Sequence, residues 1–334
     1  MISVAIATYN GQEFIKEQLL SILNQTMPVD EIVICDDQSS DDTVKIIQEL
    51  LCDKIYLYQN EKNLGYKLNF KKALSYCKGD YIFLCDQDDI WKPNKVQTMI
   101  EIMQNHPEIK VLASTYDLID ELGNEKQIDM NRKYSNKNMY KCKVKDNALV
   151  KVPFERLVVE NSFQGCALCV RQSINDKFQR CYAEDFYHDW FINLLASEEN
   201  GMYFLNVPLF QYRIHSKNTI GLKGNVTLKG KEHLNATNTI EARLNTAFNC
   251  VQTLNRLEEL DVDLKNNYPS YIQYRLFFIH HMDYIEHGKV FKLFLQNFDS
   301  YYKYFKTIKG RIMDIVVGTP RCSKAVYRKY FRSI

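Results

Sequence analysis

Short apolar runs alternate with helical-period segments through the first hundred residues. Ile2–Ala7 is a run of the buried-strand type, and Asn10-Gly11 breaks it. Phe14, Ile15, Leu19, Ile22 and Leu23 then recur at helical spacing. Glu31–Cys35 reads as a second strand ending in Asp36-Asp37, and Ser40 or Asp41 is placed to cap a helix with core face Val44, Ile47, Leu50 and Leu51. Lys54–Tyr58 is a third strand, and Asn63-Leu-Gly65 turns the chain into a helix bearing Leu68, Leu74 and Cys77. Tyr81–Cys85 is the fourth strand. Strand and helix alternating at this spacing imply a parallel sheet with right-handed crossovers.

Beyond residue 110 the pattern loosens. Val111–Tyr116, Phe163–Val170 and Leu205–Tyr212 read as strands, and Phe186–Ala196 as a helix with Trp190, Phe191, Leu194 and Leu195 on its apolar side. Residues 123–150 are polar and Asn/Lys-rich, which predicts a long loop, and 216–235 read as a linker or lid. From there the pattern is helical, with Leu244, Val251, Leu254 and Leu257 in register.

Composition narrows the class. A chain of 334 residues with 46% hydrophobic and 25% charged residues can bury a packed core. Its net charge of +2 argues against a general nucleic-acid binder, yet residues 289–334 carry 11 Lys and Arg against only Asp299 and Asp314. Such asymmetry predicts a tail with an anionic partner. That tail interleaves its cations with Phe291, Phe294, Tyr301, Tyr302, Tyr304 and Phe305, which suits an anionic membrane surface as well as it suits a packed helical extension. Ten scattered cysteines, with Met1 leading directly into the first strand, predict a reducing cytoplasm without a signal peptide. Cys166-Ala-Leu-Cys169 lacks a second pair, so buried thiols are expected there. No run of 18 apolar residues offers a membrane span.

The candidate chemistry lies at strand ends. Asp86-Gln87-Asp88-Asp89 closes the fourth strand with three carboxylates in four positions. Mutual repulsion there calls for a cation, and a hard divalent ion bridging carboxylates to phosphate oxygens fits. Ligands of open α/β sheets bind beyond the carboxyl ends of strands. Thr8-Tyr9-Asn10 ends the first strand with groups able to hold a base or ribose. Asp36 and Asp37 can accept hydrogen bonds from a ribose hydroxyl or a pyrimidine imide. Gly65 permits close backbone approach, and Lys67 can reach a diphosphate. Asp189 opens a helix as a candidate general base, and His215 follows a strand as a candidate metal or phosphate contact.

Together, Ser3-Val-Ala-Ile-Ala-Thr-Tyr-Asn10, Asp36-Asp37-x-Ser-x-Asp-x-Thr43, Asn63-x-Gly65 and Asp86-Gln-Asp88-Asp89-x-Trp91-x-Pro93 resemble a bacterial family 2 glycosyltransferase with the GT-A fold. The resemblance is strong over residues 1–110 and looser to about 220. It implies an α/β, Rossmann-like, mostly parallel sheet flanked by helices, with a nucleotide-sugar half at 1–110, an acceptor half at 111–220 and a helical C-terminal extension at 221–334. By the same resemblance, Ala7, Tyr9 and Asp37 line the nucleoside pocket, and Asp86 and Asp88 match the family's Asp-x-Asp, with Asp88 the direct ligand of Mg²⁺ or Mn²⁺. Asp189 matches an acid usually written Glu-Asp, although His188 precedes it here. His215 matches a histidine close to the diphosphate. Tyr212-Arg213-Ile-His215-Ser-x-Asn218 resembles the rhamnosyltransferase-like branch. The implied partners are a nucleotide-diphosphate sugar donor and a saccharide or lipid-linked acceptor, and the implied reaction inverts the anomeric centre at the inner face of the cell membrane. Trp91 and Trp190 are candidate walls against sugar rings.

Two rivals share parts of this pattern. A nucleotidyltransferase needs a Gly-rich basic loop after the first strand, of which Tyr9-Asn10-Gly11-Gln12 is a poor version, and a nicotinamide oxidoreductase needs a Gly-x-Gly-x-x-Gly that is absent. A non-catalytic glycan-binding protein has no need of clustered carboxylates.

Overall fold

The computed structural model describes residues 1–126, 144–216, 218, 240–261 and 263–317. Most of the expected 123–150 loop and of the 216–235 linker therefore lies outside the described residues, as does the end of the basic tail. Two compact units emerge, one of Met1–Pro153 with Asn161–Asn225 and one of Phe154–Glu160 with Val226–Ile334.

The first unit is built on one mixed sheet. Strands β1 (Ile2–Thr8), β2 (Glu31–Asp36), β3 (Ile55–Gln59) and β4 (Tyr81–Cys85) are joined by helices α1 (Ile15–Leu23), α2 (Thr43–Glu49) and α3 (Tyr66–Tyr76). Then follow β5 (Ile90–Trp91), α4 (Lys95–Asn105), β6 (Val111–Ile119), β7 (Leu149–Lys151) and α5 (Phe154–Val159), the last of which groups with the second unit. Strand β8 (Leu168–Arg171), helices α6 (Gln172–Cys181) and α7 (His188–Glu198) and strand β9 (Met202–Arg213) complete it. The sheet runs β3-β2-β1-β4-β8-β6-β9-β5, with β7 on β9.

From β3 to β4 every pairing is parallel, whereas β8 lies antiparallel between β4 and β6. Strands β6 and β9 are parallel again, so the sheet is mixed, with parallel pairing from β3 to β4 and at β6–β9. Strands β1 and β2 are covered on both faces, which is why their sequences are apolar runs instead of alternations. Edge strand β3 alternates, and its exposed Tyr58 stacks on Tyr76 with ring centroids 4.2 Å apart. Thr8 pairs with Asp36, so β1 and β2 finish level, and Cys85 pairs with Ile6, so β4 stops two residues short of them. Short β5 pairs antiparallel with Phe210 and Gln211 of β9 and pins the acidic segment 86–89 from its far side.

Three local expectations are corrected. Helix α2 stops at Glu49; Leu51 adopts φ 44° and lies open to solvent, so it is not part of a core face. Neither Ser40 nor Asp41 is its N-cap residue; Asp42 holds that position without a side-chain cap bond, while Asp41 accepts the Thr43 N–H at 3.0 Å. The apolar run at 163–170 is not one strand. It begins with a 3₁₀ turn at Gly165–Ala167, and only Leu168 onward is extended.

The second unit is helical: α8 (Ile240–Leu260), α9 (Leu264–Asn267), α10 (Tyr271–Glu286), α11 (Val290–Gln296), α12 (Tyr302–Phe305) and α13 (Ile308–Val317), with α5 against α8. Leu244, Val251, Leu254 and Leu257 are buried as their spacing predicts. A charged knot closes the unit. The fully buried Asp314 carboxylate accepts from Tyr302 Oη at 2.6 Å, from Lys306 Nζ at 2.9 Å and from the Arg243 guanidinium. Among the described residues no helix is long and apolar enough to cross a membrane.

Candidate active site

The neighbouring ends of β1, β2 and β4 put three of the sequence motifs on one edge of the sheet, the carboxyl edge where α/β sheets bind ligands. The loops after β1 and β4 are locked together by Gln87. Its amide accepts the Tyr9 N–H at 2.9 Å and donates to the Tyr9 carbonyl at 3.1 Å. A Cβ on Gly11 would lie 2.3 Å from Gln87 Oε1, so a larger residue there would push the Gln87 amide off Tyr9. Gln87 is thereby a positioning residue. The Tyr9 ring stays half exposed beside it and is open to stacking, and Ala7 is partly exposed.

Asp36 and Asp37 are both buried, with their oxygens turned to protein donors. Asp36 accepts from Thr8 Oγ1 at 2.9 Å, Ser39 Oγ at 2.5 Å and the Ser39 N–H at 2.8 Å. Asp37 accepts from Asn60 Nδ2 at 2.8 Å and from the N–H groups of Leu64 at 2.7 Å and Gly65 at 2.8 Å. The second carboxylate therefore holds the Asn63-Leu-Gly65 loop to the end of β2. Gly65 has φ 77° and ψ 153°, a region open essentially to glycine. Nothing in the protein approaches its Cβ position within 4 Å, so backbone conformation, not crowding, is the reason for the residue. Asn10, at φ 48°, donates its N–H to Ser39 Oγ at 2.9 Å and accepts the Ser40 N–H at 2.9 Å. Lys67 donates to the Glu184 carbonyl at 2.7 Å and lies 4.8 Å over the Tyr187 ring, which ties its ammonium to the segment before α7.

The acidic segment divides its labour. Asp89 is fully buried and takes the Arg213 N–H at 3.0 Å. Arg213, itself buried, also donates Nε to the Asp88 carbonyl at 2.8 Å and reaches Glu17 at 2.5 Å. Asp88 and His215 meet at 2.9 Å, Nε2 to Oδ2, with the imidazole ring 4.8 Å from Phe14. His215 therefore buttresses Asp88 at its strand end. Burial, and then the neighbouring Asp88 charge, push the Asp86 carboxyl well above the usual carboxylate range.

Among the described residues, one group of potential metal-ligating atoms lies within 4.8 Å of one another: Asp86, Asp89 and Cys166. Burial holds the Cys166 thiol far above its ordinary pKa, and a protonated thiol is a poor partner for a hard ion. Asp89 gives Oδ1 to the Arg213 N–H, while its buried Oδ2 is left without such a partner. Asp88 adds its charge to the same segment, raising Asp86, and is itself held by His215.

Asp189 sits in the first turn of α7, half-buried, and burial raises its carboxyl to about 6 against the hydrogen bonds from Trp190, Asn161 and Gly165 that lower it. The link to the acidic segment runs through the 3₁₀ turn. The Gly165 N–H faces Asp189, and the next residue, Cys166, faces Asp86 and Asp89. Asp189 in turn raises Asp86 electrostatically. The structure thus brings the late acid and the β4 cluster into one neighbourhood. His188 abuts the same turn, its Nε2 3.0 Å from where a Gly165 Cβ would lie; buried, stacked at 4.3 Å on Phe70 and with both ring nitrogens lacking hydrogen-bond partners, it has its pKa driven down to about 3.

Comparison with known proteins follows the same lines. The family pattern described as "Glycosyl transferase family 2" matches residues 3–163. An uncharacterized glycosyltransferase of Methanocaldococcus jannaschii is 30% identical over 194 residues, which cover 57% of this chain and 67% of that protein. The chain belongs to glycosyl transferase family 2. A second relative, the UDP-Glc:alpha-D-GlcNAc-diphosphoundecaprenol beta-1,3-glucosyltransferase of Escherichia coli, is 32% identical over 120 residues, 36% of this chain and 47% of that protein. The fold of this family 2 chain resembles that of S. aureus TarS 1–349, solved in complex with UDP, at TM-score 0.53 and 14% identity over 100% of this chain and 92% of that one.

Several site residues escape sequence reasoning. Arg213 closes a strand opposite three acids, and that juxtaposition of charge is its only signal. Lys95 has none: it is fully buried, donates to the Cys166 carbonyl at 2.7 Å and lies 4.1 Å over the Trp91 ring. Trp91 is consequently core, packed on Phe83 at 5.4 Å, and is no wall for a sugar. Trp190 remains half-buried against Phe186. Cys166 and Cys169 are buried free thiols, as expected.

Proposed function

We propose that this chain moves a sugar from a nucleoside-diphosphate donor to a hydroxyl of a saccharide or lipid-linked acceptor, with inversion, in the assembly of bacterial cell-surface polysaccharide. The observation that carries the reading is Asp189, a half-buried carboxyl raised to about 6 beside a carboxylate pair that calls for a cation. At neutral pH Asp189 is ionised yet more basic than an ordinary carboxylate, which suits a general base. Its carboxylate takes the acceptor hydroxyl's proton as that oxygen bonds to the anomeric carbon, and the bond to the diphosphate breaks on the opposite face. Base assistance of this kind contributes about 10²–10⁴-fold. Asp86 and Asp88 would hold Mg²⁺ or Mn²⁺, which supplies counter-charge to the departing diphosphate. Tyr9 offers its exposed ring to the base, and Ala7, with the loop that Asp37 holds, shapes the nucleoside pocket.

Residues 1–220 form the catalytic region in this reading, divided near residue 110 into donor and acceptor halves, with 221–334 as a helical extension working at the inner face of the cell membrane. The E. coli relative's name specifies a diphosphoundecaprenol-linked acceptor, which supports a lipid-linked one here. The sequence likeness to the rhamnosyltransferase-like branch makes a nucleoside-diphosphate rhamnose the first hexose donor to try.

A panel of nucleotide sugars, scored by thermal stabilisation with and without Mn²⁺ and then by nucleoside diphosphate release with acceptor, tests the reading. One donor should stabilise the chain more strongly with metal present, because binding raises apparent stability by mass action. Release of pyrophosphate instead would mark a nucleotidyltransferase, and binding of glycans without donor turnover would mark a lectin-like protein.

A further inference from the structure

The second unit carries apolar surface that its own core does not use. On α11 and the turn after it, Val290, Phe291, Phe294, Leu295 and Phe298 are exposed by 37, 70, 51, 45 and 78%. These positions are i, i+1, i+4, i+5 and i+8, which fall on one arc of a helix, while Leu293 and Gln296 occupy the buried face. The neighbouring helix α13 repeats the arrangement. Ile308, Ile312 and Val316 are exposed at i, i+4 and i+8, and Asp314 faces the charged knot inside. Helices α11 and α13 pack against each other, each keeping its stripe exposed. At about 200 Å² for a whole phenylalanine, the three phenylalanines alone present roughly 400 Å². That matches the largest apolar patch of a typical monomer, about 300–600 Å², which is often functional.

Charge selects the occupant. Between Lys289 and Val317, Lys292, Lys303 and Lys309 are exposed and Arg311 half-buried, against Asp299 alone; Lys289 is paired with Asp283 at 2.7 Å, and Lys306 with the buried Asp314. Residues 318–334 add Arg321, Lys324, Arg328, Lys329 and Arg332 with no acid. Two copies of a surface this basic would repel one another, whereas anionic headgroups complement it. We infer that the outer faces of α11 and α13 dock on an anionic lipid bilayer, with Phe291, Phe294 and Phe298 entering the headgroup–acyl boundary and the flanking lysines contacting lipid phosphates. An in-plane helix with an aromatic apolar face and a basic margin binds membranes in this way. The surface serves whichever sugar the first unit handles, and its binding does not require turnover.

Sedimentation of the full chain with phosphatidylcholine vesicles, with and without phosphatidylglycerol, tests this inference. Binding should require the anionic lipid and weaken as salt rises. The double variant Phe291→Ser/Phe298→Ser should bind roughly 10- to 100-fold more weakly, from the apolar area withheld from the bilayer. Lys292→Glu/Lys309→Glu should lose at least about 20-fold, since each lysine near the surface contributes about fivefold. Both pairs are exposed, so unchanged circular dichroism melting and donor binding are expected of the variants. Three results would overturn the inference: no sedimentation of the wild-type chain, equal sedimentation of the phenylalanine variant (which would credit the basic tail alone), or a concentration-dependent dimer abolished by that variant while vesicle binding persists.

Discussion

Replacing Asp189 by Asn removes a charge that the fold resists, and the consequences for activity and stability run in opposite directions. The carboxyl rises from 3.8 to about 6 on folding, chiefly through burial. A rise of about two pH units corresponds to roughly 3 kcal/mol against the ionised form, at about 1.4 kcal/mol per unit. Because the side chain is only half-buried, water screens part of that, leaving about 1–2 kcal/mol. The sign follows from linkage: with the folded pKa above the unfolded one, the favourable contribution of the neutral acid is complete below about 3.8 and is lost as pH rises through 6. Asn mimics the neutral acid at every pH. The variant should therefore melt with the wild type at pH 4 but about 2–8 °C above it at pH 8, given roughly 2–4 °C per kcal/mol for a unit of this size. Turnover at pH 8 should fall by about 10²–10⁴-fold, with donor affinity kept. Wild-type turnover per bound donor should rise through pH 6 and then level. Calorimetric melting across pH, combined with nucleoside diphosphate release, reads both effects. A variant with wild-type turnover and a parallel melting profile would refute the assignment and the burial argument together.

Asp88→Ala should abolish transfer and remove the extra stabilisation that donor gains from Mn²⁺; near wild-type turnover in the folded variant would contradict the metal role. Gly65→Ala forces a side chain into a glycine-only conformation and should cost about 1–3 kcal/mol in chemical denaturation, with weaker donor binding because Asp37 anchors that loop. Gly11→Ala should loosen the Gln87 clamp on Tyr9, raising the donor KM more than it lowers kcat. In the second unit, Asp314→Ala leaves Arg243 and Lys306 as uncompensated buried cations and should cost about 3–5 kcal/mol. Asp314 is held below its ordinary pKa, so that contribution is present above about pH 3.8 and is lost as pH falls through the lowered value.

The chain's local patterns determined the alternation of strands and helices as far as β4, because burial on both faces writes an apolar run and burial on one face of a helix writes a 3.6-residue period. They also placed every acid of the site at a strand or helix end, since polar residues that interrupt such runs must sit where the run stops. What they left open depended on partners distant in sequence. Asp86, Asp88 and Asp89 look alike in a row, yet Arg213, more than 120 residues later, takes Asp89 into the core, and His215 takes hold of Asp88. Asp36 and Asp37 look like ligand contacts, but Ser39 and the Gly65 loop claim their oxygens. Trp91 looks like a wall for a sugar and proves to be core, lying 4.1 Å under the Lys95 ammonium, which is paired with a carbonyl that only the turn at Cys166 provides. Sequence specifies which groups can do chemistry; the desolvation and the fixed hydrogen bonds that decide which of them remain able to do it arise only when the chain closes on itself.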